Sequence, residues 1–286
     1  GYDMLSDVWN TPYVMNHSLS ISGGTERIKY FCSANYYTQN GFMASTDYKK
    51  LNLRLNVTAD VTKDLQLYAS ISNTNTYTSS SPVEGTDMTY IKSRVSFAYM
   101  PSTSTSGDKY IGDGWAYGNP AAAANGTAGY IKDDLLRPQV NFSLTYKLPW
   151  VKGLSVKASY MGSWANTRSK QYKKAETFYY PVKTGENSHI INVDDENLVG
   201  SYVSSEVGGI WSSATWSNNQ QLNFQANYDR VFGGHHVNAA LVYEATNSKY
   251  YAISNGRQKF PLYQTDQYWA TSSSHDDMFA GGGPDT

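Results

Sequence analysis

Cysteine, net charge, charged side chains and long apolar runs are all scarce in this chain of 286 residues. The single cysteine, Cys32, excludes an internal disulfide framework and a thiolate zinc site, and it reads as a small apolar strand residue. Lys+Arg number 23 and Asp+Glu 24, a net charge of −1. A nucleic-acid binder normally carries a basic excess to neutralise phosphates, so no nucleic-acid partner is expected. Charged residues make up only 16%, against a usual soluble share of roughly 25%. No apolar run approaches the ~18–20 residues that a membrane-spanning helix needs, and the mean hydropathy is −0.53. That excludes a helical membrane protein. It does not exclude a β-barrel, whose strands alternate apolar and polar residues and keep the average polar. Gly1-Tyr2-Asp3-Met4 has neither the basic nor the apolar region of a signal peptide. The expectation is a chain that begins after processing or lies inside a longer one.

What the sequence does have is Tyr (25) and Gly (23), with abundant Ser, Thr and Asn, set in a two-residue period. The helix period is almost absent. Residues 50–61 alternate without a break: Leu51, Leu53, Leu55, Val57, Ala59 and Val61 against Lys50, Asn52, Arg54, Asn56, Thr58 and Asp60. That length exceeds the ~5–6 residues of a typical globular strand and suits a tilted membrane strand of ~9–11. Similar alternation predicts strands around residues 15–22, 28–37, 65–72, 140–148, 154–160, 222–229 and 237–244.

These eight strands pair into four hairpins through tight turns at Gly23-Gly24-Thr25-Glu26, Thr62-Lys63-Asp64, residues 149–153 and Phe232-Gly233-Gly234-His235. Glycine supplies the positive φ that such turns require. Between hairpins the connections are long, at about 39–47, 75–137 and 166–213, with a tail after 247. Short turns alternating with long loops is the asymmetry of an outer-membrane barrel, turns on the periplasmic side and loops outside. The competing reading is a secreted β-sandwich, such as a surface adhesin or carbohydrate-binding protein, with the apolar face as its core. Strand length, Tyr near the ends of the apolar faces, and an opposite face rich in Ser, Asn and Thr favour the barrel.

The expected fold class is therefore all-β: an antiparallel transmembrane β-barrel wall, about eight strands in four hairpins, with short periplasmic turns and long extracellular loops. Inward residues this small would not fill a closed eight-stranded barrel. The expectation is an open partial barrel over residues 14–286, with residues 1–13 a linker or the end of an upstream strand. The glycine-rich segment from Phe279 to Thr286 reads as no strand, and the chain as ending inside a loop.

Residues 17–31, HSLSISGGTERIKYF, continuing to Tyr36–Phe42 as YYTQNGF, resemble the first barrel hairpin of the SusC/RagA family of TonB-linked outer-membrane transporters. Residues 47–56, DYKKLNLRLN, leading to Thr62-Lys63-Asp64-Leu65, resemble that family's next strand and turn. Asn119-Pro120, Arg137 and the Lys152-Gly153-Leu154 turn are similar to its third extracellular loop and following hairpin. Lys50 departs mildly, since the family commonly has Arg there. The resemblance implies a 22-stranded plugged barrel that imports oligosaccharides or peptides. It also implies a SusD-type lipoprotein lid, and TonB acting through a plug region that this sequence does not contain.

No nucleophile–His–acid arrangement is readable, so no enzyme and no cofactor are expected. Histidines 17, 189, 235, 236 and 275 lack metal spacing, and Asp108 with Asp113-Gly114 fails the EF-hand template, so no metal site is assigned. Asp194-Asp195-Glu196 reads as a solvated charge run, and residues 87–100 as a short loop helix. The candidate substrate-binding residues are Tyr110, Asp113, Trp115, Tyr117, Trp211 and Trp216, placed in or beside the long loops. Rings there could stack on sugars or peptide side chains, and Asp113 could accept hydroxyl hydrogen bonds; rings that merely pack the loops together are the plainer alternative. Lys50, Asn52, Arg54, Asn56 and Asp60 are expected to face the lumen.

Overall fold

The computed structural model describes residues 2–82, 89, 100–112, 119–204, 207–261 and 265–283. Nine strands form one antiparallel sheet. They are β1 (Val14–Gly24), β2 (Ile28–Asn40), β3 (Asp47–Asp60), β4 (Leu65–Ser80), β6 (Gly129–Lys147), β7 (Leu154–Lys173), β11 (Gly209–Phe232), β12 (His235–Gln258) and β13 (Met278–Gly283). They follow in chain order, with β1 and β13 at its open edges. A second, small sheet is built from β5 (Tyr110–Ile111), β8 (Thr177–Thr184) and β10 (Leu198–Val203), and β9 (Ile190–Asn192) pairs with β8. Two short α-helices, α1 (Met4–Val8) and α2 (Pro120–Ala124), and four 3-10 turns at Glu186–Ser188, Asp195–Asn197, Tyr268–Ala270 and His275–Asp277 complete the described elements.

All four expected hairpins form, at the expected turns. Phe232 pairs directly with His235, leaving a two-residue turn in which Gly233 has φ +58°. Because side chains alternate across a strand, register assigns every residue to a face. One row reads Ile28, Ala59, Leu67, Leu144, Ala158, Phe224, Tyr243. A row on the other side reads Ser33, Arg54, Ser72, Gln139, Ser163, Asn219, Ser248. The sheet thus has an apolar face and a polar face. The apolar face is bare: Ile21 is 57% and Leu241 75% exposed.

From Leu154, paired with Tyr228, to Asn166, paired with Trp216, β7 advances 166 − 154 = 12 residues. At about 3.3 Å each that is roughly 40 Å. A barrel-like tilt of about 40° reduces it to about 30 Å, the scale of an apolar band with its two girdles.

The structure departs from the sequence expectation in three places. First, the strands run on past the alternating segments. β4 continues to Ser80, β6 begins at Gly129, β7 reaches Lys173 and β12 reaches Gln258. The hydrophobic alternation ends where both faces become polar, while backbone pairing continues. The connections are correspondingly shorter, and the one after β7 carries the small sheet.

Second, residues 278–283 are not loop but strand, the ninth, pairing Met278–Gly283 with Arg257–Ala252. Gly281, Gly282 and Gly283 offer no pattern to read, yet the free backbone edge of β12 accepts them. Phe279 lies across from Gly256, where a Cβ would sit 2.2 Å from its ring. Third, a short helix, Met4–Val8, lies in the segment expected to be a linker or the end of an upstream strand. Asp3 caps it by accepting from the Leu5 amide at 3.0 Å, and Met4 and Val8 bury against Met43, Ala121 and Ala124. The helix expected near 87–100 lies almost entirely outside the described residues.

Candidate functional site

β3 carries Lys50, Asn52, Arg54, Asn56 and Asp60 at even positions, so one pleat places all five on the polar face. Their neighbours there are short and mostly neutral. Ser70 donates to Asn56 Oδ1 at 2.7 Å, Thr74 to Asn52 Oδ1 at 2.9 Å, and Gln66 Nε2 to Asp60 Oδ1 at 2.9 Å. Gln139 reaches Ser163 at 3.3 Å, Gln225 reaches Asn227 at 2.7 Å, and Ser248 bonds Asn219. This face is a carpet of donors and acceptors that cross-link adjacent strands. It can line a wet passage; it holds no nucleophile with a base.

The loop end of the sheet is built differently, from small cores pinned by single polar side chains. Asn119 is buried and accepts at Oδ1 from the Ala121 and Ala122 amides, capping α2 (2.9 and 3.3 Å). Its Nδ2 donates to the carbonyls of Ser102 and Ile111 (2.7 and 2.9 Å). One amide thus ties helix and loop together, while Pro120 presets the first helical turn. In the small sheet Phe178 is buried, with the Tyr202 ring at 5.5 Å and the Tyr180 ring a further 5.1 Å on. The acidic run is no free charge run: Asp195 pairs with Lys109 at 3.1 Å and accepts from Ser106, and Asp194 accepts from Thr105 at 2.7 Å. These bonds hold the Asp195 carboxyl below its ordinary range, chiefly through Lys109.

A strap between β12 and β13, described over residues 259–261 and 265–277, folds back over the apolar face at this end. Asp266 anchors it: Tyr130 donates at 2.7 Å, and the Lys170 ammonium donates to both its carboxylate (3.1 Å) and its carbonyl (3.0 Å). The tyrosine and lysine bonds hold the Asp266 pKa down to about 2. The Tyr268 hydroxyl reaches Asn255 Oδ1 at 2.6 Å and Ser212 Oγ at 2.8 Å. Beneath the strap Ile210 is fully buried, and Phe260 meets the Tyr172 ring at 6.0 Å. Asp277 pairs with Lys259.

The candidate binding residues do not gather. Asp113, Trp115 and Tyr117 lie outside the described residues. Tyr110 is half-buried in β5, packs against the α1–α2 core and accepts from Asn125 at 3.3 Å, the arrangement of a packing residue. Trp211 and Trp216 are not in loops but inside β11, and five positions apart they take opposite faces. Trp211 lies on the polar face, 6.1 Å from the Phe279 ring; Trp216 lies on the apolar face, 5.5 Å from Tyr251. The strap residues Asp266 and Tyr268 carried no sequence signal, because their partners stand on strand extensions that no alternation marks.

A relative, TonB-dependent receptor P3 of Formosa agariphila, is 26% identical over 182 residues, 60% of this chain and 17% of that protein. The structure of the RagAB peptide transporter superposes with a TM-score of 0.73 at 17% identity, over 98% of this chain and 29% of that one. The RagAB peptide importer in its closed-closed state gives 0.71 at 17% identity, over 100% and 30%. The chain is thus similar in sequence to a TonB-dependent receptor and in fold to the RagAB structures. The structural likeness carries the fold: the nine-stranded open antiparallel sheet matches part of the β-barrel in those structures. The chain spans under a third of the length of the proteins it matches. No family model matches the sequence.

Proposed function

We propose that residues 14–286 form part of the barrel wall and extracellular loops of a TonB-dependent importer in the bacterial outer membrane. The observation that carries this is the bare apolar face, about 30 Å tall on a barrel-like tilt, backed by a face of neutral hydrogen-bonding side chains. Lipid covers the first face and the transport lumen wets the second. A sandwich would lay a second sheet on the apolar side; among the described residues only the strap touches it, and only at the loop end.

The substrate class is oligosaccharide or peptide. Peptide is favoured by the RagAB structures, whose names describe a peptide importer. The same complexes support a SusD-like lipoprotein lid as partner, and TonB would act through the plug region of the whole protein. The chain's role is not enzymatic. Among the candidate residues, Trp211 beside Phe279 stands on the polar face at the loop end and is the ring that would stack on substrate; Asp113, Trp115 and Tyr117 are candidates on sequence alone. Lys50, Asn52, Arg54, Asn56 and Asp60 face the lumen below it.

The test is orientation. In a Cys32→Ser background, single cysteines at Asp108 and at Lys63 are probed on intact cells with a membrane-impermeant thiol reagent. Only the cysteine at 108 should react. Labelling at 63 alone inverts the topology, and labelling at both removes the membrane from between them.

A further inference from the structure

The loop-side margin of the apolar band carries charge for which the barrel wall has no need. On the apolar face Tyr36, Leu136, Trp216 and Tyr251 belong to one cross-strand row, the last ring-rich row before the strands turn polar on both sides. Two residues further along each strand, roughly 7 Å, Lys49 and Arg168 stand on the same face, with Tyr77 and Asp134 between them. Another step on, Lys132 stands directly opposite Lys170.

Over these rows the surface opens into a groove of about 550 Å³ that includes Lys49, Arg168 and Trp216. A second hollow of about 410 Å³ includes Arg168 and Lys132. Four cations therefore share this margin with three carboxylates, Asp47, Asp134 and Asp266. Asp266 engages Lys170. Among the described residues Lys49, Lys132 and Arg168 make no ion pair with a carboxylate. The ammonium of Lys49 lies 5.9 Å from the Tyr77 ring, and that of Lys132 lies 4.0 Å from the Tyr130 ring. The polar face at the same height carries one cation, Lys50, in a row that continues through Thr76, Leu135, Thr167 and Thr215.

We propose that this margin binds the phosphorylated headgroup of an anionic outer-leaflet lipid, a reading that rests on the barrel-wall assignment above. Two features match such an amphiphile. The cations sit one and two steps beyond the aromatic row, where a headgroup lies when aromatic rings mark the membrane interface, and basic clusters at that level attract anionic lipid. Below the aromatic row, Leu53, Pro138 and Trp164, then Leu55, Ile71 and Val140, then Val57, Phe142 and Leu222 offer apolar surface for acyl chains, most densely over β3 to β7. A free phosphate would use the cations and leave that surface idle, so the lipid is the occupant that accounts for both.

The test uses the full-length gene product extracted in detergent, with bisphosphorylated lipid A, its dephosphorylated form and inorganic phosphate as probes. Each surface cation is worth about fivefold. Arg168→Gln should therefore weaken lipid A binding about fivefold, and the Lys49→Gln/Lys132→Gln/Arg168→Gln variant roughly a hundredfold. Removing the lipid's phosphates should weaken binding to the native protein similarly. A polar-face control with the same charge change, Lys29→Gln/Lys147→Gln/Lys157→Gln, should bind as the native protein does. Each sample is run on a heat-modifiability gel. A folded, heat-modifiable triple variant that binds lipid A normally overturns this site and leaves the barrel wall standing. So does a control weakened as much as the triple variant, or displacement of the lipid by equimolar inorganic phosphate. A native protein with no heat-modifiable form overturns the barrel reading and the lipid site with it.

Discussion

The two ends of the same strands are held by different physics. In β7, residues 154–160 alternate Leu154, Val156, Ala158 and Tyr160 with Ser155, Lys157 and Ser159; residues 165–173 alternate nothing of the kind. Yet one unbroken register joins Leu154 to Lys173 with β11. At the turn end, the face a side chain occupies dictates its type, apolar on one side and small and polar on the other. At the loop end that parity lapses, and the strap covers part of one face over Ile210 and Tyr172. Specificity there comes from individual contacts: Asn119 in its helix cap, Asp266 under Tyr130 and Lys170, Phe178 against Tyr202. A face-driven region tolerates many sequences of the right parity. A contact-driven region depends on a few residues and is spread over the loops.

The largest effect should break the parity rule at the turn end. Leu55→Arg puts a cation on the apolar face near mid-band and should cost about 2–4 kcal/mol. Asn56→Arg, one residue on, projects onto the polar face beside Ser70 and should cost far less. Unfolding by denaturant in lipid vesicles gives both values. Equal costs would abolish the distinction between the faces.

This contrast also explains what the sequence could and could not reveal. Eight strands and four turns were legible because residues 50–61 and their counterparts alternate apolar and polar side chains between the two faces of the sheet. β13 was not: Gly281, Gly282 and Gly283 carry no parity, and the strand exists because β12 has an edge to complete. The extensions of β4, β6, β7 and β12 were illegible because paired backbone leaves no mark where side chains stop alternating between apolar and polar. The lumen residues of β3 followed from alternation alone. Trp211 and Trp216 did not, since placing them in or beside a long loop hid the fact that an odd spacing of five within one strand sends them to opposite faces. Asp266 was invisible for a further reason: its partners Tyr130 and Lys170 lie 136 and 96 positions away.

The turn between β11 and β12 sets a second, smaller test. Gly233 has φ +58°, and a Cβ there would meet no atom within 4 Å. Gly233→Ala therefore isolates backbone strain from crowding, and should cost about 1–2 kcal/mol. A cost near zero in the same denaturant assay would mean that the turn relaxes to another geometry, so that local turn chemistry does not set the register of this hairpin.

The strap sharpens the comparison through pH. The Asp266 carboxyl titrates near pH 2 in the folded protein, below its ordinary value, because Tyr130 and Lys170 bond its charged form. A depressed carboxyl contributes stability that is complete above the ordinary value of about 3.9 and is lost as pH falls toward 2. The side chain is over a third exposed, so solvent screening limits the effect to about 1 kcal/mol. Hydrogen exchange in residues 265–272, corrected for intrinsic rates, should lose protection between pH 4 and 2 while the β7–β11 amides stay protected. Asp266→Asn should show weaker protection and no such pH step. A step that persists in the asparagine variant would assign the titration to another group.

The smallest effect is expected on the polar face, where most of the hydrogen bonds are. Thr74 donates to Asn52 at 2.9 Å across β3 and β4, on a face whose other neighbours are equally ready to bond water. Replacing the hydroxyl by a methyl, Thr74→Val, keeps the β-branched shape that strands favour and leaves Asn52 free to bond solvent. A bond whose partners are not stranded contributes only about 0.5–1 kcal/mol, and part of that is returned by hydration. The expected cost is under about 0.5 kcal/mol in the assay that reads Leu55→Arg as severe. A cost above about 1 kcal/mol would mean that Asn52 is left unsatisfied when its partner goes. That face would then be closed to water at Asn52, a packed interior in place of the wall of an open passage.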